Sequence, residues 1–190
     1  ISKGKNKKGG SDMKKVLIIS STPRVNGNSE ILCEEFLRGA KESGNIVELI
    51  KLRQKKIGYC IGCQVCYSNG VCFQKDDMNE ILNKMVNADV IVLATPVYFY
   101  SMCAQLKTLI DRSVARYTEL NNKEFYYILT CTDTNKKHLS RVVEGLRGFT
   151  LDCLDNSKEK GIIYGVGASV KGIVNVTDAF KDAYEMGKKV

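Results

Sequence analysis

Four cysteines fall within fourteen residues, in the run YCIGCQVCYSNGVC from Tyr59 to Cys72. Thiols at this density could pair as disulfides, grip a zinc ion, ligate an iron–sulfur cluster, or bind nothing. A reducing compartment keeps thiols free and turns clustered cysteines toward metal or redox work. Cys60, Cys63 and Cys66 stand three apart, so a tight, roughly helical turn can present three thiolates to one concave side. Cys72 follows a five-residue spacer in which Asn69-Gly70 is a turn signal able to bring the chain back. Structural zinc sites usually pair two C-x2-4-C turns from separated segments. Three cysteines in continuous steps crowd one side of a tetrahedron, so this spacing suits a cubane better. In the ferredoxin run C-x2-C-x2-C-x3-C-P the fourth cysteine serves a second cluster. The longer spacer here is what a fourth ligand to the same cubane needs. Zinc and a metal-free set of thiols stay open at this point. The single histidine, His138, is remote in sequence and reads as a surface residue, while Cys33, Cys131 and Cys153 read as packing residues.

A second stretch, SSTPRVNGNS from Ser20 to Ser29, is built for an anion. It carries hydroxyls at Ser20, Ser21, Thr22 and Ser29, amides at Asn26 and Asn28, a cation at Arg24, and Gly27. Placed before a helix, it joins these donors to the free N–H groups and positive dipole end of the helix. Arg24 can add a charge-assisted bond. The loop lacks the Lys-Ser/Thr ending of a Walker A loop and the G-x-G-x-x-G of a dinucleotide fold. Rich in hydroxyls and poor in glycine, it suits one phosphomonoester better than a pyrophosphate. The same residues would also serve as plain helix caps. A later glycine run, GVGASVKG at 165–172, has the wrong spacing for a dinucleotide fingerprint and reads as a loop beyond the last strand.

The elements that must position these stretches alternate along the chain. Unbroken apolar runs predict buried strands at 15–20, 46–52, 89–99, 124–131 and 161–167. Apolar residues recurring at helical spacing predict helices over 29–44, 76–88, 101–117, 136–153 and 177–190, the last capped by Thr177 or Asp178. Strand–helix alternation implies an α/β fold: a doubly wound, five-stranded parallel sheet of order 2-1-3-4-5 with helices on both faces. Ligands in such sheets sit beyond the carboxyl ends of the strands. That singles out the loops 20–29, 95–102 and 131–137, and the cysteine loop leaves the same edge.

Composition narrows the classes. At 190 residues, 44% hydrophobic and 26% charged, the chain reads as a globular protein with one domain over 13–190 and a cysteine-rich insert at about 57–75. Residues 1–12 carry four Lys and one Asp and read as a flexible tail, either native or foreign to the chain, and in the second case Met13 is the natural start. They hold +3 of the net +8, leaving twenty-five basic against twenty acidic residues. No basic stripe interleaves with aromatics, so nucleic-acid binding is not expected. No apolar run is long enough for a membrane span, no secretory pattern is visible, and a cytoplasmic location is the expectation.

With these motifs in place, the chain resembles the flavodoxin-like NAD(P)H-dependent FMN reductase superfamily. SSTPRVNGNSEIL resembles the family's phosphate loop, usually G-S-P-R-x-x-G/S-N-T. TPVYFYSMCAQLKTLIDR at 95–112 resembles its second signature, which runs from S-P-V-Y to L-K-x-x-I-D-R. The cysteine spacing is that of the iron–sulfur flavoprotein branch. The likeness runs from about Lys14 to Val190. It implies FMN bound non-covalently, with Thr22, Arg24, Asn28 and Ser29 on the phosphate and Pro96, Val97, Tyr98 and Phe99 lining the isoalloxazine. It also implies a [4Fe–4S] cluster on Cys60, Cys63, Cys66 and Cys72, and a homodimer or homotetramer. Two substitutions in the first motif, Ser21 for Gly and Thr22 for Ser, keep the hydroxyl. Cys103 replaces a Pro, Thr or other small residue and is expected close to the flavin, without a catalytic part.

The expected function is a flavin-dependent oxidoreductase passing electrons through FMN and the cluster. A ferredoxin-type or nicotinamide carrier would be the donor. A cluster-free NAD(P)H-dependent FMN or quinone reductase is the second reading. A zinc-stabilised binding module without catalysis is the third. No acid/base pair or nucleophile–His arrangement names a substrate.

Overall fold

The computed structural model describes residues 13–190, so the expectation for 1–12 lies outside the described residues. Strand β1 (Lys15–Ser20) is buried from Val16 to Ser20, as its unbroken apolar run requires. It pairs in parallel with β2 (Ile46–Lys51) on one side and β3 (Val90–Tyr98) on the other. Beyond β3 lie β5 (Glu124–Thr130) and β6 (Lys158–Gly165), also parallel. The spatial order β2-β1-β3-β5-β6 is the doubly wound order the alternation predicts. A sixth strand, the two-residue β4 (Ser101–Met102), pairs antiparallel with the end of β3.

Side chains leave β1 alternately, and the two faces form separate cores. Val16 and Ile18 pack with Leu32, Phe36 and Ala40 of α1 (Asn28–Glu42) and Ala179 and Ala183 of α5 (Asp178–Lys188). Leu17 and Ile19 pack against three helices: α2 (Met78–Asn87), α3 (Ala104–Arg112) and α4 (Ser140–Arg147). Truncating one of these buried residues, such as Ile18→Ala, is expected to cost about 2–5 kcal/mol. Helices α1 and α5 meet backbone to backbone. A Cβ at Gly39 would stand 2.1 Å from the Tyr184 carbonyl oxygen, and one at Gly187 2.2 Å from that of Phe36.

Three expectations are corrected. Residues 101–117 are not one helix: Phe99 and Tyr100 turn the chain back at φ of 49° and 59°, 101–102 form β4, and α3 starts at Ala104 after extended Cys103. After Arg112 the chain continues as short 3₁₀ turns at Ser113–Ala115 and Tyr117–Glu119. The segment 136–153 is composite: a 3₁₀ turn at Lys136–Leu139, then α4, then a π turn at Gly148–Asp152. The last strand begins at Lys158, not Gly161. It is the sheet edge, so its polar first residues pair while staying exposed or half-buried, and a bulge lies between Phe125 and Tyr126.

Candidate functional site

At the carboxyl end of β1 the chain enters the hydroxyl-rich loop. Ser21 Oγ donates to the Ala94 carbonyl at 2.6 Å and the Ser21 N–H to the same oxygen at 3.0 Å, tying the loop to β3. Thr22 Oγ1 accepts the Arg24 N–H at 3.3 Å, and the Gly27 N–H reaches back to the Arg24 carbonyl at 3.2 Å. This curl leaves no room for a side chain at Gly27, where a Cβ would lie 2.8 Å from Thr22 Oγ1. Gly27 is the N-cap of α1 and has no capping side chain. The first-turn N–H groups therefore stay available to a ligand.

A cavity of about 120 Å³ opens at this point. Its walls include Thr22 and Arg24 from the loop, Asn28 and Ser29 from the start of α1, Pro96, Val97 and Tyr98 from the end of β3, and Thr130 to Thr132 at the end of β5. Seven of the eight residues expected at a flavin thus share one cavity. The eighth, Phe99, is fully exposed at the β3–β4 hairpin tip and is not in its wall. Two side chains are engaged otherwise than expected. Asn28 Nδ2 donates to the carbonyls of Val170 at 2.9 Å and Ala168 at 3.3 Å, and its Oδ1 accepts the Gly172 N–H at 2.8 Å. Ser29 Oγ is bonded at 2.6 Å to Thr130 Oγ1. Asn28 and Ser29 can still offer backbone N–H groups, while Arg24 is exposed at the mouth. Cys103 is buried behind the loop, its Sγ 3.1 Å from Ser21 Oγ, and does not line the cavity.

Thr130, Cys131, Ala168 and Ser169 in this wall were not singled out one by one. The strand-end rule marked 131–137, and applied to the last strand it also reaches 168–169. Burial pushes the Cys131 thiol up, with the Asp133 carboxylate adding to the effect, so it stays protonated. The loop therefore offers an anion neutral hydroxyls, free N–H groups and one guanidinium.

The cysteine loop is a different construction. Its root is charged: Glu30, fully buried on α1, accepts from Lys51 Nζ at 2.7 Å and Arg53 Nη2 at 3.1 Å. Burial raises the Glu30 pKa, but the two cations outweigh it and hold the carboxylate below its ordinary value. From Gly58 to Phe73 no residue is buried. Short-range bonds shape the loop. A 3₁₀ turn spans Val65–Tyr67, the Gly70 N–H reaches the Cys66 carbonyl at 2.8 Å, and Asn69 Oδ1 accepts the Val71 N–H at 3.0 Å. The Asn-Gly turn thus forms where expected, with Gly70 at φ of 69°.

The four cysteines line one cavity of about 360 Å³, together with Arg112 at the end of α3 and Ala115 after it. Burial raises the Cys66 thiol pKa, and Cys72, Cys63 and Cys60 raise it further as neighbouring negative charges. Among the described residues no three His, Cys, Asp or Glu side chains converge closely enough to hold a single metal ion. The donor set still fits a group larger than one ion. Four thiols, each a soft ligand once deprotonated, line one cavity, and a buried cation stands beside them.

That cation ties the loop shut. Arg112 is 1% exposed. Its Nη1 donates to the Gly58 carbonyl at 2.7 Å, Gln74 Oε1 at 3.2 Å and Asp76 Oδ2 at 2.7 Å, and its Nη2 to Asp76 Oδ1 at 3.0 Å. Asp76 also accepts the N–H groups of Gly58 and Met78. Burial would raise the Asp76 pKa; Arg112 and these two N–H groups bring it below the ordinary carboxylate value. Burial would lower the Arg112 pKa; Asp76 first and then Cys72 raise it. Arg112 closes the second sequence motif, yet its partnership with the cysteine loop had no signal in the sequence.

With this geometry in view, the chain can be set beside known proteins. The family described as NADPH-dependent FMN reductase matches residues 14–153. An iron-sulfur flavoprotein of Methanocaldococcus jannaschii is 48% identical over 99 residues, covering 52% of this chain and 51% of the relative. One from Archaeoglobus fulgidus is 42% identical over 100 residues, covering 53% and 45%. The chain spans about half the length of the curated relatives it matches. Among solved structures, an NAD(P)H:quinone oxidoreductase from Methanothermobacter marburgensis superposes with a TM-score of 0.71. At 17% identity, over 93% of this chain and 98% of that one, this is a likeness of fold.

Proposed function

Because the chain belongs to the NADPH-dependent FMN reductase family, we propose that it is a flavin-dependent oxidoreductase that holds FMN in the cavity after β1 and a [4Fe–4S] cluster in the cysteine cavity. The observation that carries the reading is the gathering of all four cysteines around one cavity in a chain whose other cavity suits a phosphate. The names of the relatives, iron-sulfur flavoproteins, support it. When bound, FMN supplies two-electron chemistry and the cluster single-electron transfer.

The chain's own part is binding and orientation. The first-turn N–H groups of α1, Thr22 and Arg24 take the phosphate. Pro96, Val97 and Tyr98 give the ring a wall of half-buried and exposed surface. Cys60, Cys63, Cys66 and Cys72 offer the four thiolates. Among the described residues no helix is long and apolar enough to cross a membrane.

The cysteine loop exposes Tyr59, Ile61, Val65, Tyr67, Val71 and Phe73. An apolar set this dense suits burial against a second copy of the chain. A homodimer or homotetramer, a nicotinamide or ferredoxin-type donor and a cytoplasmic location complete the reading.

The test is flavin, iron and acid-labile sulfide analysis on anaerobically prepared and reconstituted protein. About one FMN and four irons per chain are expected. Flavin without iron after reconstitution leaves the cluster-free reductase. A colourless protein holding one zinc leaves the binding module.

A further inference from the structure

Arg112 is the most deeply buried charged side chain beside the cysteine cavity, and it is not fully used. A guanidinium has five N–H donors. Those on Nη1 serve three oxygens, Nη2 serves Asp76, and buried Nε has no hydrogen-bond partner among the described residues. An orphaned donor of this kind is costly unless something outside the described atoms meets it. The residue lines the same cavity as Cys60, Cys63, Cys66 and Cys72. Its oxygen partners stand at both ends of the loop, Gly58 on one side and Gln74 and Asp76 on the other. Among the described residues no other buried cation lines that cavity.

We infer that Arg112 is a positioning residue of the four-cysteine site. Its fork closes the loop at 58 and 74–76, and its remaining N–H and fixed charge face the sulfur group held within. The inference rests on the proposed cluster for its charge-setting half only. A fixed cation stabilises the more negative, reduced state of a thiolate-ligated group, and hydrogen bonds to sulfur act in the same direction. Asp76 partly neutralises that cation. The two partners therefore act on the reduction potential with opposite signs, whereas a merely structural pair would act with one sign.

The experiment compares wild type, Arg112→Gln, Arg112→Lys and Asp76→Asn as anaerobically reconstituted protein, with the potential read by redox titration of the cluster's visible absorbance. Arg112→Gln is expected to disfavour reduction about tenfold, a shift of ~59 mV to lower potential for one electron. Arg112→Lys keeps the charge and restores most of the shift. Asp76→Asn moves the potential up. In metal-free protein, chymotrypsin cutting at exposed Tyr59, Tyr67 and Phe73 is expected to accelerate about tenfold in both Arg112→Gln and Asp76→Asn, because both open the fork.

Shifts of the same sign in Arg112→Gln and Asp76→Asn, or no shift in either, overturn the charge role. Unchanged cleavage overturns the positioning role. Should Arg112→Gln melt too low to study, Arg112→Lys and Asp76→Asn still give the sign. If wild type takes up no iron, the cluster reading falls and the charge role with it, while cleavage still decides positioning.

Discussion

The hydroxyl-rich loop after β1 and the cysteine loop leave the same edge of one sheet and are held in opposite ways. The loop after β1 is anchored residue by residue to the sheet and its neighbours: Ser21 to Ala94, Ser29 to Thr130, Asn28 to three backbone groups of the 168–172 segment. The Ser21, Asn28 and Ser29 side chains cannot move without breaking a buried or part-buried hydrogen bond. The cysteine loop has no buried residue between Gly58 and Phe73 and is fastened at its ends, through Arg112 and Asp76. A site for a small anion needs donors fixed before binding. On the proposed reading, four thiolates that grip a cluster can take their final shape from it.

This difference can be broken most sharply at the thiolates. Cys72→Ser is expected to abolish cluster retention, with iron and sulfide falling to background while FMN stoichiometry holds. Loss of both cofactors would mean the two loops are not independent.

Next in size is the fork. Asp76→Ala leaves Arg112 buried without its partner and is expected to cost about 3–5 kcal/mol, read by denaturant unfolding. Acid should do the same reversibly. Since the folded Asp76 pKa lies below its unfolded value, its contribution is complete above that unfolded value of about 3.9 and is lost as pH falls through the folded one. The protection of the Gly58 and Met78 amides, taken relative to the intrinsic exchange rate at each pH, should therefore hold steady from neutrality to about pH 5 and fall below about pH 4. A loss of protection between pH 7 and 5 would contradict this.

Smaller effects belong to the anion loop. Asn28→Ala removes the acceptor of the Gly172 N–H and the donors to Ala168 and Val170, and should cost about 1–3 kcal/mol and loosen 168–172 in hydrogen exchange. Arg24→Ala, an exposed residue, should weaken FMN binding about tenfold without changing the melting temperature. Equal FMN affinity in that variant would remove Arg24 from the phosphate site. Smallest is Lys107→Ala on the exposed face of α3, whose pair with Asp111 is solvated and should change stability by less than about 0.5 kcal/mol.

Much of the scaffold could be read from the chain itself, because a parallel strand covered on both faces must be apolar throughout and its helices must carry a one-sided apolar stripe. Val16–Ile19 and the helical repeat Leu32, Phe36, Ala40 meet that demand. The placement of the hydroxyl-rich loop was legible for a related reason. Its donors sit next to one another in sequence, and the strand–loop–helix order alone places them at a helix N-terminus. The same logic failed at 101–117, where helical spacing continues through residues that the Phe99–Tyr100 turn folds into a hairpin.

What the sequence by itself determined is therefore local: the order of elements, the sheet they build, the hydroxyl-rich loop and the four thiols in a row. What only the tertiary structure decided is which distant groups meet. Asn28 is turned from a presumed ligand donor into a brace by a loop 140 residues away. Cys103 lies behind the anion loop, and Arg112 is brought to the mouth of a loop it follows by about fifty residues. The reason is physical. Hydrogen bonds between segments are set by how helices pack on the sheet, and neither periodicity nor spacing within one segment carries that information.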